Sequence, residues 1–248
     1  MVYLIFLIVS FGASIAGAIC GIGGGVIIKP ALDAVGVLDV ATISFLSGCT
    51  VLTMSCYSVY KAKRSGESLI DMKIGTPLAI GAAVGGVVGK WMFQMVSAMF
   101  ADKNMVGAVQ AACLLVITLG TLIYTIYKEK IHTKHLVNFV ACLLVGLVLG
   151  IMSSFLGIGG GPINLVVLFY FFSMDTKAAA QNSLYIILFS QITSFLQTVL
   201  TGKVPAFPIM ALVIMVFGGL MGGFCGRIIN KKMDSKMVDK LFICLMVV

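Results

Sequence analysis

The chain has 248 residues, of which 60% are hydrophobic and 10% charged, with a mean hydropathy of +1.12. A soluble globular domain carries roughly a quarter charged residues, so a water-soluble fold is excluded. The net charge of +8 does not point to nucleic acid, because the basic residues fall in short clusters between apolar stretches, where they act as insertion signals.

In chain order, the first apolar stretch is Met1 to Ile19, close to the roughly 20 residues that a helix needs to cross a hydrocarbon core of about 30 Å. Ala16-Gly17-Ala18 resembles a cleavage site, but no basic n-region precedes it, and a retained first helix is predicted. The run Gly21-Ile22-Gly23-Gly24-Gly25 follows. Glycine disfavours a helix by up to about 1 kcal/mol per residue. A broken helix at membrane depth is tolerated only where protein or a water-filled cavity surrounds it. The short apolar segment Val26 to Leu38 comes next, with Lys29 and Asp33 at the spacing of a helical ion pair. A segment bearing Ser44, Ser47, Thr50, Ser55 and Tyr57 then ends on Lys61, Lys63 and Arg64. The stretch Gly75 to Phe93 contains Gly81-x3-Gly85-x3-Gly89, the small-x3-small spacing of close helix pairs. Lys90 at its end reads as a lysine snorkelling to the interface. Met105 to Tyr127 completes the first set, and the polar stretch Lys128 to His135 closes it.

The same series then recurs. Gly157-Ile158-Gly159-Gly160-Gly161 repeats the first motif at an offset of 136, and at that offset Asp39 falls on Asp175, Ser47 on Ser183 and Gly66 on Gly202. One inserted residue later, the run from Gly81 to Lys90 falls on Gly218 to Arg227. Several matches in order at a nearly constant offset indicate duplication, with one membrane repeat over 1–131 and a second over 132–248. Pro162 directly after the second motif suits the first turn of a new helix. The closing stub, Met237 to Val248, is too short to span alone.

Charge placement discriminates between crossing and re-entrant versions of the two short segments. If both cross, about thirteen of the 17 Lys and Arg gather on one face, as the positive-inside rule requires; if both re-enter, the split is nearly even. The prediction is therefore an all-α, multi-pass integral membrane protein of ten segments, five per repeat. Five is odd, so the second copy runs upside down relative to the first, the inverted-repeat plan of many secondary transporters. The N-terminus is then outside and the basic loops are cytoplasmic.

Two helices starting inside the membrane offer free N–H groups and the positive ends of their macrodipoles, and an anion is their natural ligand. The candidate substrate-binding positions are Gly21, Gly23, Gly24, Gly25, Gly157, Gly159, Gly160 and Gly161, with Lys29, Ser47, Asn164, Asn182 and Ser183 as polar lining. Two alternatives stay open: the glycines serve close helix packing, and the polar side chains tie helices together. No catalytic constellation is present. The seven cysteines lie singly in apolar stretches as packing residues, and His132 and His135 sit in a basic loop without metal-ligand partners. The Gly motif lacks the Lys-Ser/Thr of a nucleotide-binding loop. The expected protein is thus a secondary transporter of a small anion working by alternating access, with no cofactor and with H+ or Na+ as the coupling ion. An anion channel on the same half-helices is the alternative. The bilayer and the anion are its partners, nucleic acid is not, and a homo-oligomer is compatible with it.

The paired Gly motifs, Pro162, the Asn182-Ser183 dipeptide and the Gly85-Gly86-x2-Gly89 ending resemble the TauE/SafE family of sulfite exporters over essentially the whole chain. The resemblance implies a prokaryotic cytoplasmic (inner) membrane transporter for sulfite, organosulfonates or related sulfur-containing anions. It assigns the two glycine clusters and Asn182-Ser183 to the site. The chain departs from the family pattern at Lys29, where an apolar residue is expected before Pro30; an added cation there would favour a second negative charge on the substrate.

Overall fold

The computed structural model describes residues 2–66, 68–99, 103–158 and 160–247. These form ten α-helices and no strand: α1 (Val2–Cys20), α2 (Gly25–Val35), α3 (Val40–Arg64), α4 (Met72–Met99), α5 (Lys103–Tyr127), α6 (Phe139–Leu156), α7 (Gly161–Phe172), α8 (Thr176–Leu200), α9 (Ile209–Lys232) and α10 (Ser235–Val247). A 3-10 turn covers Lys128–Lys130. Seven of the ten helices are long and apolar enough to cross a bilayer, so the chain is an all-α integral membrane protein. The other three, α2, α7 and α10, have 11, 12 and 13 residues. At about 1.5 Å per residue, α2 and α7 reach only about half of a 30 Å core.

Local chemistry explains where these helices start and stop. Asn138 and Asp175 accept the backbone N–H of Val140 and Ala178 at 2.9 and 3.0 Å, capping α6 and α8. Gly157 terminates α6 in the left-handed conformation at φ 66°, which costs glycine nothing.

The most extensive packing is reciprocal: α4 lies along α6, and α1 lies along α9. Both contacts run on the glycine stripes. A Cβ at Gly81, Gly85 or Gly89 would overlap the carbonyl oxygen of Leu143, Leu147 or Ile151 in turn. These numbers rise together, so α4 and α6 are parallel. In the same way Gly222 and Gly226 sit against Phe11 and Ile15, and α1 is parallel to α9. Gly219 and Gly223 sit against Thr50 and Met54, which makes α3 parallel to α9. Thr193 donates to the Ala83 carbonyl at 2.8 Å and Lys203 to Gln94 at 3.0 Å, so α4 and α8 also run together. The bundle thus contains two sets, α1, α3, α9 and α4, α6, α8. Because α1 and α3 point the same way, α2 carries the chain back between them.

The short α10 buries Val238, Phe242 and Met246 in a core shared with Cys20, Phe169 and Phe172. It is pinned by Asp239, which accepts from Lys128 at 2.6 Å and Thr176 at 2.9 Å, a charge-assisted clamp joining the ends of α5, α8 and α10.

Candidate functional site

The first motif turns the chain through three left-handed glycines, Gly21, Gly23 and Gly24, at φ 78°, 82° and 69°. The segment climbs back along α1: a Cβ at Gly17 would overlap the Gly24 backbone nitrogen, and one at Gly24 would lie 2.9 Å from the Ala13 carbonyl oxygen. Helix α2 then starts level with the middle of α1. The second motif has Gly157, Gly160 and Gly161 at φ 66°, 111° and 60°, and Pro162 occupies the first turn of α7. Gly159 lies outside the described residues.

The two breaks touch. A Cβ at Gly25 would overlap the Ile158 carbonyl oxygen, and one at Gly161 would lie 3.1 Å from Val26 Cγ2. Gly21, Gly24 and Gly25 of the first motif are therefore engaged in backbone packing, whereas Gly157, Gly160 and Gly161 of the second meet side chains, and the start of α2 faces the loop before α7.

Among the polar candidates, Ser183 belongs to this junction, donating to the Gly21 carbonyl at 2.6 Å. Ser47, its repeat mate, is fully buried and its hydroxyl has no partner. Asn164 is 1% exposed with both amide atoms unpartnered, beside Gly160. Asn182 points elsewhere, donating to Leu69 and Ala178 carbonyls at 3.1 and 2.9 Å; it ties α8 to the loop between α3 and α4.

Lys29 does not pair with Asp33. Its ammonium donates to the Leu156 carbonyl at 2.8 Å and to Gln110 Oε1, while Gln110 Nε2 donates to the Phe155 carbonyl at 2.6 Å. Those carbonyls are the orphan acceptors at the C-terminus of α6, and in hydrocarbon they must be satisfied by protein. Lys29 and Gln110 together cap the broken end of α6. Lys29→Met is accordingly expected to lower stability by about 2 kcal/mol, the cost of one orphaned buried acceptor. Thermal unfolding in detergent checks this, and an unchanged KM would separate the cap from substrate contact. Gln110 went unread in the sequence, although a lone amide in the apolar stretch of α5 is a usable signal.

Two cavities, each lined by both polar and apolar side chains, lie beside the α3 and α8 pair. The first is lined by Ser44, Gly48, Lys90, Gln191, Ser194 and Thr198, and reaches Gly157 of the second motif. Ser44 is 7% exposed and its hydroxyl has no partner. Among the described residues the Lys90 ammonium has neither hydrogen-bond nor ion-pair partner; its neighbour is the Phe93 ring, with 5.3 Å to the centroid. Lys90, expected to reach toward the interface, also fronts this cavity. The second cavity is lined by Ser58, Gln181, Arg227 and Asn230. Arg227 donates to the Ser58 carbonyl at 3.3 Å and to Ser65 Oγ at 2.7 Å. The cavities measure about 20 and 30 Å³, room for a water or two.

The first cavity draws on α3, α4, α6 and α8, two helices from each half of the chain. No solved structure matches the chain. The probable membrane transporter protein YunE of Bacillus subtilis (strain 168) is 23% identical over 266 residues, covering 96% of this chain and 92% of that protein. The sulfite exporter TauE/SafE family model matches residues 6–248. With helices of spanning length and that match over nearly its whole length, the chain belongs to the TauE/SafE family of multi-pass membrane transporters and is not an enzyme.

Proposed function

We propose that the protein is a secondary transporter of a small oxyanion, sulfite or an organosulfonate, in the cytoplasmic membrane, working by alternating access around the junction of the two broken helices. The observation that carries this reading is the meeting of the starts of α2 and α7 inside the bundle, Gly25 on Ile158 and Gly161 on Val26, with an orphaned amide on α7 at Asn164 and an orphaned hydroxyl on α3 at Ser47. Helix starts of this kind favour negative charge. The choice of a sulfur oxyanion follows from family membership.

The inverted plan has support in helix direction. Repeat-equivalent helices α1 and α6, α3 and α8, α4 and α9 fall in opposite sets of the bundle. Rocking of one set against the other would expose the junction alternately to the two faces, with an H+ or Na+ gradient supplying the energy.

Counterflow in proteoliposomes tests this. Unlabelled sulfite, sulfoacetate or taurine inside the vesicles is expected to drive uptake of the labelled compound, and a dicarboxylate less so. Conductance without counterflow would move the reading to an anion channel, and no response to any anion would overturn it.

A further inference from the structure

Helices α2 and α5 are separated by a cavity of about 260 Å³, lined by Lys29 and Asp33 of α2, Gln110, Ala111 and Leu114 of α5, and Leu156 at the end of α6. It is far larger than the two cavities beside α3 and α8. Among the described residues, the hydrogen bond from Lys29 to Gln110 is the one side-chain tie that joins α2 to α5. The inner end of the cavity adjoins the second motif, since a Cβ at Gly157 would lie 3.6 Å from the Lys29 ammonium.

Lys29 and Gln110 are 4% and 3% exposed, and capping α6 does not exhaust their donors. An ammonium carries three N–H bonds and an amide nitrogen two. Lys29 gives one to the Leu156 carbonyl and one to Gln110 Oε1, and Gln110 gives one to the Phe155 carbonyl. Each therefore keeps one N–H to offer, and every acceptor already engaged is uncharged. An oxyanion is the ligand that such donors hold most strongly. Asp33 stands one turn further along the same face of α2, about 6 Å along the axis. It is exposed, at the mouth of the cavity. Among the described residues its carboxylate has neither hydrogen-bond nor ion-pair partner. Lys29 by itself favours a second negative charge on a ligand; Asp33 in the same cavity favours a positive one.

We propose that this cavity binds a zwitterion, an oxyanion joined through a short alkyl chain to an ammonium. The oxyanion lies inward on Lys29 and Gln110, and the ammonium lies at the mouth on Asp33. This rests on the anion-transport reading and deepens it by naming the substrate class as an aminoalkanesulfonate. Asp33 is then the residue that sets specificity, because a simple sulfonate or a dicarboxylate of the same length meets a carboxylate where the zwitterion meets a partner.

The test is calorimetric titration of the full chain in detergent with taurine and with 2-hydroxyethanesulfonate, which carries a hydroxyl in place of the ammonium at the same length. Taurine is expected to bind about tenfold more tightly or better, given an opposite charge a few ångströms from its ammonium. Asp33→Asn, at an exposed position, should bring that ratio to about one while 2-hydroxyethanesulfonate binds at least as tightly as before. Ala111→Trp, which fills the cavity from an exposed position on α5, should abolish binding of both compounds without lowering the unfolding temperature. A ratio unmoved by Asp33→Asn, or binding that survives Ala111→Trp, would overturn the proposal. Release of bound taurine by phosphatidylethanolamine added to the micelles would also overturn it, by assigning the site to a lipid head group of the same chemistry. Counterflow of sulfite with no binding of taurine would remove the zwitterion site and leave the transport reading intact; selective binding of taurine by a chain inert in counterflow would do the reverse.

Discussion

Gly25→Val is expected to abolish transport and to cut the yield of folded protein more than any other single change in the motifs. Gly25 has ordinary helical geometry at the start of α2, so the penalty is spatial: its Cβ would overlap the Ile158 carbonyl oxygen and crowd the Ile158 Cα at 3.0 Å. Those are backbone atoms of the other break and cannot swing aside. The two short helices would be pushed apart at the point where they meet, uncovering loop groups that hydrocarbon cannot satisfy. A destabilisation above about 3 kcal/mol follows, at the upper end of overpacking costs. Fluorescence-detected size exclusion and counterflow on the same preparation would measure it; a monodisperse, active variant would show that the breaks do not need to touch.

Gly85→Leu is expected to cost as much, through the α4–α6 contact. In a bilayer the helices gain little from hiding apolar surface, and close van der Waals packing is what holds them. The stripe Gly81, Gly85, Gly89 meets α6 carbonyls, while Gly146 and Gly150 meet the carbonyls of Leu78 and Ala82 in return, so neither helix has space to yield. A leucine at the centre of that seam should separate the pair and lower the unfolding temperature in detergent sharply. Gly218→Ala supplies the contrast. Although Gly218 is the repeat mate of Gly81, its Cβ would meet the Ser10 hydroxyl, which can rotate away. It should be tolerated, whereas Gly81→Ala, pressed on the Leu143 carbonyl, should not. Equal sensitivity at the two sites would contradict the packing described.

Much of this architecture was readable from residue order. Glycine runs inside apolar stretches have few physical uses, so the breaks at Gly21–Gly25 and near Gly157 and the tight seams at Gly81–Gly89 stood out. Other features need the third dimension. Lys90, at the end of a glycine stripe, has the local signature of an interfacial lysine, and only the crossing of α3 and α8 beside it makes a cavity that it fronts. Lys29 looks like half of an ion pair with Asp33 until the C-terminus of α6, 127 residues away in sequence, arrives to take its ammonium. Asn182 and Ser183 are neighbours in the chain, but successive residues on a helix diverge by about 100°. One reaches the Leu69 carbonyl and the other the Gly21 carbonyl, so the two side chains of the dipeptide make their contacts in different places.

The exchange of partners between the halves has a bearing on how the protein is made. Helix α1 is synthesised before α2 to α10, yet its main partner α9 comes after the six other described helices of spanning length. Until then its glycine-bearing flank faces lipid or a chaperone, and the same holds for α4 until α6 is inserted. Contacts between such remote parts of a chain form slowly, so the first half cannot mature as a separate unit in the way that N-terminal domains commonly do. The nascent chain stays an open clasp until α9 closes it.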